Sequence, residues 1–195
     1  MTVNVVYLDV KIIFGWRGAM SSEDAVDHLV SGWKSALPEV DSSPLQVFSR
    51  ITRLSQRLDK VRRGIFADLN LQIWEFDVLS ALRRSLPNFE LNAGELLAET
   101  LVTSGTMTNR IDRLVERGLV TRIKDPSDKR IVKVRLADDG VALVDEALTR
   151  LLRHESALLS LISSNKQREL TQVLKDLLLP LEGELLGSIP DRTTG

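Results

Sequence analysis

The chain has 195 residues, of which 43% are hydrophobic, 27% charged and only 5% aromatic, enough to bury one substantial and mostly helical core. The absence of cysteine excludes a disulfide framework, a cysteine-ligated zinc site and thiol-based peroxide sensing. His28 and His154 stand alone, outside any carboxylate–histidine spacing, and the chain carries no nucleophile–base arrangement and no Gly-rich phosphate loop. Neither an enzyme, a cofactor nor a metal site is expected.

Residues 1–20 have strand-like composition in VNVVYLDVKIIFGW, interrupted by Asp9 and Lys11. The run is too short and too charged to span a bilayer and lacks the layout of a signal peptide, so a cytoplasmic protein with no membrane contact is expected. Two readings stand: an N-terminal arm, or a start at Met20 with the preceding residues artefactual. Residues 21–69 read as two helices. Ser21-Ser22-Glu23-Asp24 is a capped start, followed by an apolar stripe of Ala25, Val26, Leu29, Val30 and Trp33 that ends before Pro38. Asp41-Ser42-Ser43-Pro44 opens the next helix, with Leu45, Val47, Phe48, Ile51, Leu54, Leu58 and Val61 as its buried side and Arg50, Arg53, Arg57 and Arg62 largely off it. Leu71 to Leu86 is a third helix with Ile73, Phe76, Leu79 and Leu82 inward, closed by Pro87.

The most informative stretch is Leu91 to Leu136, within a unit spanning 70–136. Asn92 and Glu95 form a capping-box pattern at the start of a short helix. Thr103 or Ser104 caps a second helix whose apolar side is Met107, Ile111, Leu114 and Val115, ended by Gly118. Val120–Ile123 and Ile131–Leu136 read as two strands around a tip of three cations, Lys124, Lys129 and Arg130. From Ser104 to Arg135 there are nine bases and four acids, a net +5, so the remainder of this −1 chain sums to −6. A capped helix pair leading into a basic ribbon is a winged helix-turn-helix, and the charge asymmetry marks a face for double-stranded DNA. The bland alternative is a solvated helix face with a decorated hairpin. A winged helix used only as a protein-interaction module is the functional alternative.

Beyond the wing, Asp138 or Asp139 starts a long helix, and Ser164-Asn165-Lys166-Gln167 starts another carrying Leu170, Val173, Leu174, Leu177, Leu178, Leu181 and Leu185. So many leucines need an apolar partner, and a second copy of the chain would supply it. The alternative is that they fill a monomer core. The whole reads as mainly α with a small β wing (α+β): a winged helix-turn-helix with N- and C-terminal dimerisation helices, the latter over 137–187, and a flexible tail over 188–195.

LVTSGTMTNRIDRLVERGLVTR followed by DPSDKRIVKVRL resembles the MarR family of bacterial transcriptional regulators, and the similarity runs from roughly Ser22 to Leu186. Asp128, Arg130 and Leu136 fit that family's wing signature, whereas Lys129 stands where the family more often has arginine. The resemblance implies a homodimeric repressor on a palindromic operator. Ser104, Thr106, Thr108, Asn109, Arg110 and Arg113 are then the candidate groove and phosphate contacts, Lys129 and Arg130 the minor-groove cations, and Asp128 a brace within the wing. It also implies a small anionic, often aromatic ligand between the dimer helices and the DNA-binding lobes. WEFDVLSALRRS with an upstream tryptophan is similar to the urate-responsive subgroup, which points to Trp33, Asp77 and Arg122 as ligand residues, with Arg84 a weaker substitute for Arg122. An anion there would pair with Arg122 and repel Asp77, shifting the third helix. A phenolic or aromatic carboxylate, its coenzyme A thioester, or no ligand at all are the other readings. Arg130→Ala should weaken DNA binding across all sequences by ~1–3 kcal/mol and flatten its salt dependence. Titrations at several salt concentrations check this, and an unchanged affinity and slope would remove the wing from the mechanism.

Overall fold

The computed structural model describes residues 22–100, 103–124 and 131–187. The N-terminal arm, the wing tip with Asp128, Lys129 and Arg130, and the C-terminal tail therefore lie outside the described residues. Two compact units are present, one covering residues 22–152 of the described chain and one covering 153–187.

In the first unit, α1 (Ala25–Ala36) begins at a reciprocal cap. The Asp24 carboxylate accepts the Val26 and Asp27 amides, and Asp27 accepts the Asp24 amide at 2.8 Å. The cap is thus a carboxylate rather than a serine hydroxyl, and it serves twice: Arg50 of α2 (Leu45–Ala67) donates to both Asp24 and Asp27. That guanidinium holds the Asp24 carboxyl below its ordinary range. The buried side expected for α2 is a correction. Only Ile65 and Phe66 at its C-terminal end are buried, while Val47, Phe48, Ile51 and Leu54 are exposed, Phe48 by 57%. The apolar stripe has the anticipated spacing, but a single chain lays no second surface over it.

The core gathers around α3 (Ile73–Arg84), with Phe76, Val78, Leu79 and Leu82 buried and the Phe66 and Phe76 rings stacked at 4.5 Å. Against it pack α4 (Ala93–Thr100) through Leu96 and α5 (Ser104–Glu116) through Met107, Ile111 and Leu114. The Asn92–Glu95 capping box forms with both bonds in place, and Gly118 takes φ 69° after α5, as a left-handed C-terminal turn demands. Val115, expected on the apolar side, is exposed instead.

The wing holds three strands rather than two. β1 (Glu90–Asn92) pairs antiparallel with β3 (Val132–Leu136), which pairs antiparallel with β2 (Val120–Lys124). Three residues are too few for a readable alternation, so Glu90–Asn92 passed as a helix cap alone. Immediately after β3, α6 (Asp138–Leu159) begins where Gly140 presses on the wing. A Cβ there would lie 2.1 Å from the Leu119 carbonyl oxygen, and the Ala137 amide donates to that same oxygen at 3.0 Å. Only a hydrogen fits between the long helix and the start of β2.

The second unit contains the end of α6 and α7 (Ser164–Gly187). The Gln167 side chain donates to the carbonyls of Leu159 and Ile162, closing the preceding turn instead of completing the capping box expected at Ser164. Leu170, Val173, Leu174, Leu177, Leu178 and Leu181 are all exposed. No helix among the described residues is long and apolar enough to cross a membrane.

Gly140→Ala should lower stability by about 1–3 kcal/mol or more, because the new methyl meets backbone and not a side chain that can swing away. Urea denaturation measures this, and an unshifted midpoint would mean that the wing–helix junction opens freely.

Candidate nucleic-acid interface

The recognition surface starts from the period of α5. Met107, Ile111 and Leu114 are drawn into the core, which turns Thr106, Thr108, Asn109 and Arg113 outward and leaves Arg110 half-buried at the edge. Ser104 is the first residue of this helix. At the N-terminus the Thr103 and Thr106 hydroxyls share a hydrogen bond at 2.9 Å, and no side chain caps the first turn.

The helix is held at its far end by a buried carboxylate. Glu75 is 3% exposed and accepts from the Gln72 amide at 2.7 Å, which caps α3, and from the Arg117 guanidinium at 2.6 Å. Arg117 also donates to the Asn70 carbonyl at 2.8 Å. One arginine just past α5 thereby fixes that helix to the start of α3 and to the turn before it. On the wing side, Arg122 of β2 pairs with Asp112 of α5. Glu90 of β1 accepts from Arg135 and Lys133 of β3, and the hydrogen bond from Arg135, aided by Lys133, holds its carboxyl below the ordinary range. Sequence reading missed both Glu75 and Glu90 as part of this face. Counting these two acids with the nine bases and four acids of 104–135 reduces the net charge from +5 to +3.

The three ligand residues anticipated from the sequence occupy three different settings. Trp33 stands on α1 with 47% of its surface exposed. Asp77 of α3 lines two hollows, one of about 520 Å³ shared with Arg63, Trp74 and Arg110, and one of about 370 Å³ shared with Ser80, Arg83 and Arg84. Burial pushes the Asp77 carboxyl up, opposed by the charges of Arg62, Arg110 and Arg84. Arg122 is engaged by Asp112 and is not among the cations that act on Asp77. Arg110 lines the larger hollow with Asp77, its guanidinium carbon 5.4 Å from the Trp74 ring centroid and in cation–π range, and Arg84, the weaker substitute for Arg122, lines the smaller one. The signal for this was present, since Trp74 and Asp77 are three residues apart and therefore share a helix face.

A three-stranded wing behind a helix pair, with cations on the second helix, defines a winged helix-turn-helix protein. A sequence model of the MarR family matches residues 67–131. The chain is 28% identical over 149 residues to the transcriptional regulator PecS of Dickeya dadantii, spanning 76% of this chain and 90% of that one. It is 32% identical over 110 residues to the transcriptional repressor NicR of Pseudomonas putida, spanning 54% of this chain and 68% of that one. A solved structure of Bordetella bronchiseptica BpsR, described in terms of the regulation of its DNA binding by 6-hydroxynicotinic acid, superposes with a TM-score of 0.56 at 25% identity, covering 67% of this chain and 91% of that one. The chain belongs to the MarR family, whose members are DNA-binding transcriptional regulators and not enzymes.

Breaking the Glu75 clamp should be costly because it strands a buried charge. Arg117→Met is expected to destabilise by on the order of 3 kcal/mol, with Glu75→Gln combined with Arg117→Met losing less than the sum of the two changes. A double-mutant cycle in urea measures the coupling, and strict additivity would show that the pair fixes nothing.

Proposed function

We propose that this regulator is a homodimeric repressor that leaves a palindromic operator when a small anionic aromatic ligand occupies the hollow beside Asp77. The observation that carries the reading is Arg110, a recognition-helix cation that faces Trp74 and Asp77 of α3. A planar anion entering there would stack on the indole and draw the guanidinium toward itself, while its charge repels the Asp77 carboxylate. Both effects disfavour the arrangement that presents Arg110 to DNA. The ligand acts only through its preference for the released arrangement, and moving the population from 1:99 to 99:1 requires about a 10⁴-fold difference in affinity. The effector named for BpsR supports a hydroxylated aromatic carboxylate, and urate is the second choice from the resemblance of Trp33 and Asp77.

Ser104, Thr106, Thr108, Asn109, Arg110 and Arg113 make the groove and phosphate contacts in this reading, with Lys129 and Arg130 reaching the flanking minor groove. The uncovered apolar residues of α1, α2 and α7 support pairing with a second copy, which matches protein symmetry to operator symmetry. The competing use of a winged helix as a protein-interaction module predicts no shift of DNA from the gene's own upstream region. A mobility-shift assay on that DNA tests the proposal, with 6-hydroxynicotinate, salicylate and urate as competitors. Release is expected with at least one of them, and Asp77→Asn should keep DNA affinity while losing the release. Absence of any shift at low salt refutes DNA regulation, and an unchanged ligand response in Asp77→Asn removes this hollow from it.

A further inference from the structure

The acidic remainder of the chain is not uniformly acidic. Helix α2 holds six bases (Arg50, Arg53, Arg57, Lys60, Arg62 and Arg63) against one acid, Asp59, for a net +5. With the +5 of residues 104–135, the rest of this −1 chain carries −11. Two of the six bases are occupied: Arg50 with Asp24 and Asp27, and Arg62 by facing Asp77. The other four, Arg53, Arg57, Lys60 and Arg63, are exposed, and no ion pair joins them to an acid among the described residues. At 100° per residue, Arg53, Arg57 and Lys60 fall within about 60° of one another, with Arg63 at the margin, on a side centred about 120° from that of Val47, Ile51 and Leu54. Ten residues at 1.5 Å each make this stripe about 15 Å long.

Such spacing is unfavourable for the helix alone, since like charges at three- and four-residue separations repel. A helix that keeps four of them in line, in a chain with acid to spare, is shaped for an anionic partner. The stripe also has a direction. Its lower end, Arg63, lines the same hollow as Arg110 of α5, and the one acid in that lining, Asp77, is itself faced by three arginines, while Asp59 flanks Arg63 one turn earlier on α2. B-DNA presents one phosphate per strand every 3.4 Å along its axis, so a 15 Å row of cations faces about four phosphates of one strand.

We propose that the Arg53–Arg63 stripe of α2 is a second DNA contact, gripping the phosphate backbone outside the half-site read by α5 and the wing. It rests on the DNA-binding reading above and adds to it a longer footprint with no added sequence preference. The test compares two duplexes from the gene's own upstream region: the segment that the triple variant Arg53→Gln/Arg57→Gln/Lys60→Gln protects from nuclease, taken as the minimal segment, and the same segment extended by about fifteen base pairs on each side. The full-length protein should bind the extended duplex on the order of tenfold more tightly at low salt, with a steeper salt dependence. The triple variant Arg53→Gln/Arg57→Gln/Lys60→Gln should lose that advantage and keep the affinity for the minimal segment. A control of equal charge change, Arg153→Gln/Arg168→Gln/Lys175→Gln, should retain it. Equal wild-type affinity for the two duplexes, a variant that keeps the extended-duplex advantage, or a control that loses as much would each overturn the proposal. Failure to bind the minimal segment would instead overturn the DNA-binding reading, and unfolding of the variant is checked by its melting curve, which exposed glutamines should leave in place.

Discussion

A carboxylate out of water must find a cation or be neutralised, and the position of α5 depends on how Glu75 meets that requirement. Its two acceptor bonds, to the amide that caps α3 and to Arg117 beyond α5, make the start of one helix and the end of the other parts of a single polar joint. The surrounding core of Phe66, Leu79, Met107 and Leu114 could tolerate small sliding of one helix against the other, because apolar contact has no direction. Hydrogen bonds do have direction. The joint therefore supplies register where the core supplies adhesion. Arg110 on Trp74, about two turns before Arg117 on α5 and next to Glu75 on α3, adds a second and more exposed tie between the same two elements.

Much of this was legible in the linear chain because it rests on local chemistry. The Asn92–Glu95 box, Gly118 at the end of α5, and the start of α6 at Asp138 each follow from backbone groups that neighbouring residues must satisfy or allow. What remained hidden depends on residues far apart. Glu90 and Arg135 are separated by 45 positions and meet only through a three-residue strand, and Glu75 reaches Arg117 across 42. No periodicity within one segment announces either pair. The apolar stripe of α2 shows the opposite limit: period identifies which side is apolar but not what covers it. The candidate ligand set divides in the same way. Asp77 lines a hollow with Trp74 of its own helix face, whereas Arg110 reaches that hollow from α5, a neighbour no spacing within one segment announces.

Charge, more than shape, distinguishes the regions of the molecule. Strands β2 and β3 of the wing spend three of their bases on acids of the same chain, Arg122 on Asp112 and Lys133 and Arg135 on Glu90, and so brace the ribbon. Arg113 on α5 and the outward cations of α2 have no such engagement among the described residues. Cations tied within the chain hold geometry, and cations left in water are those able to exchange their hydration for an external anion.

The contact at Gly140 gives the long helix and the wing a common seat, because backbone lies against backbone with no side chain to yield. Any side chain at this position would therefore act at a distance, tilting the ribbon against the helix behind it while leaving every side chain of α5 unchanged, the mark of a pivot.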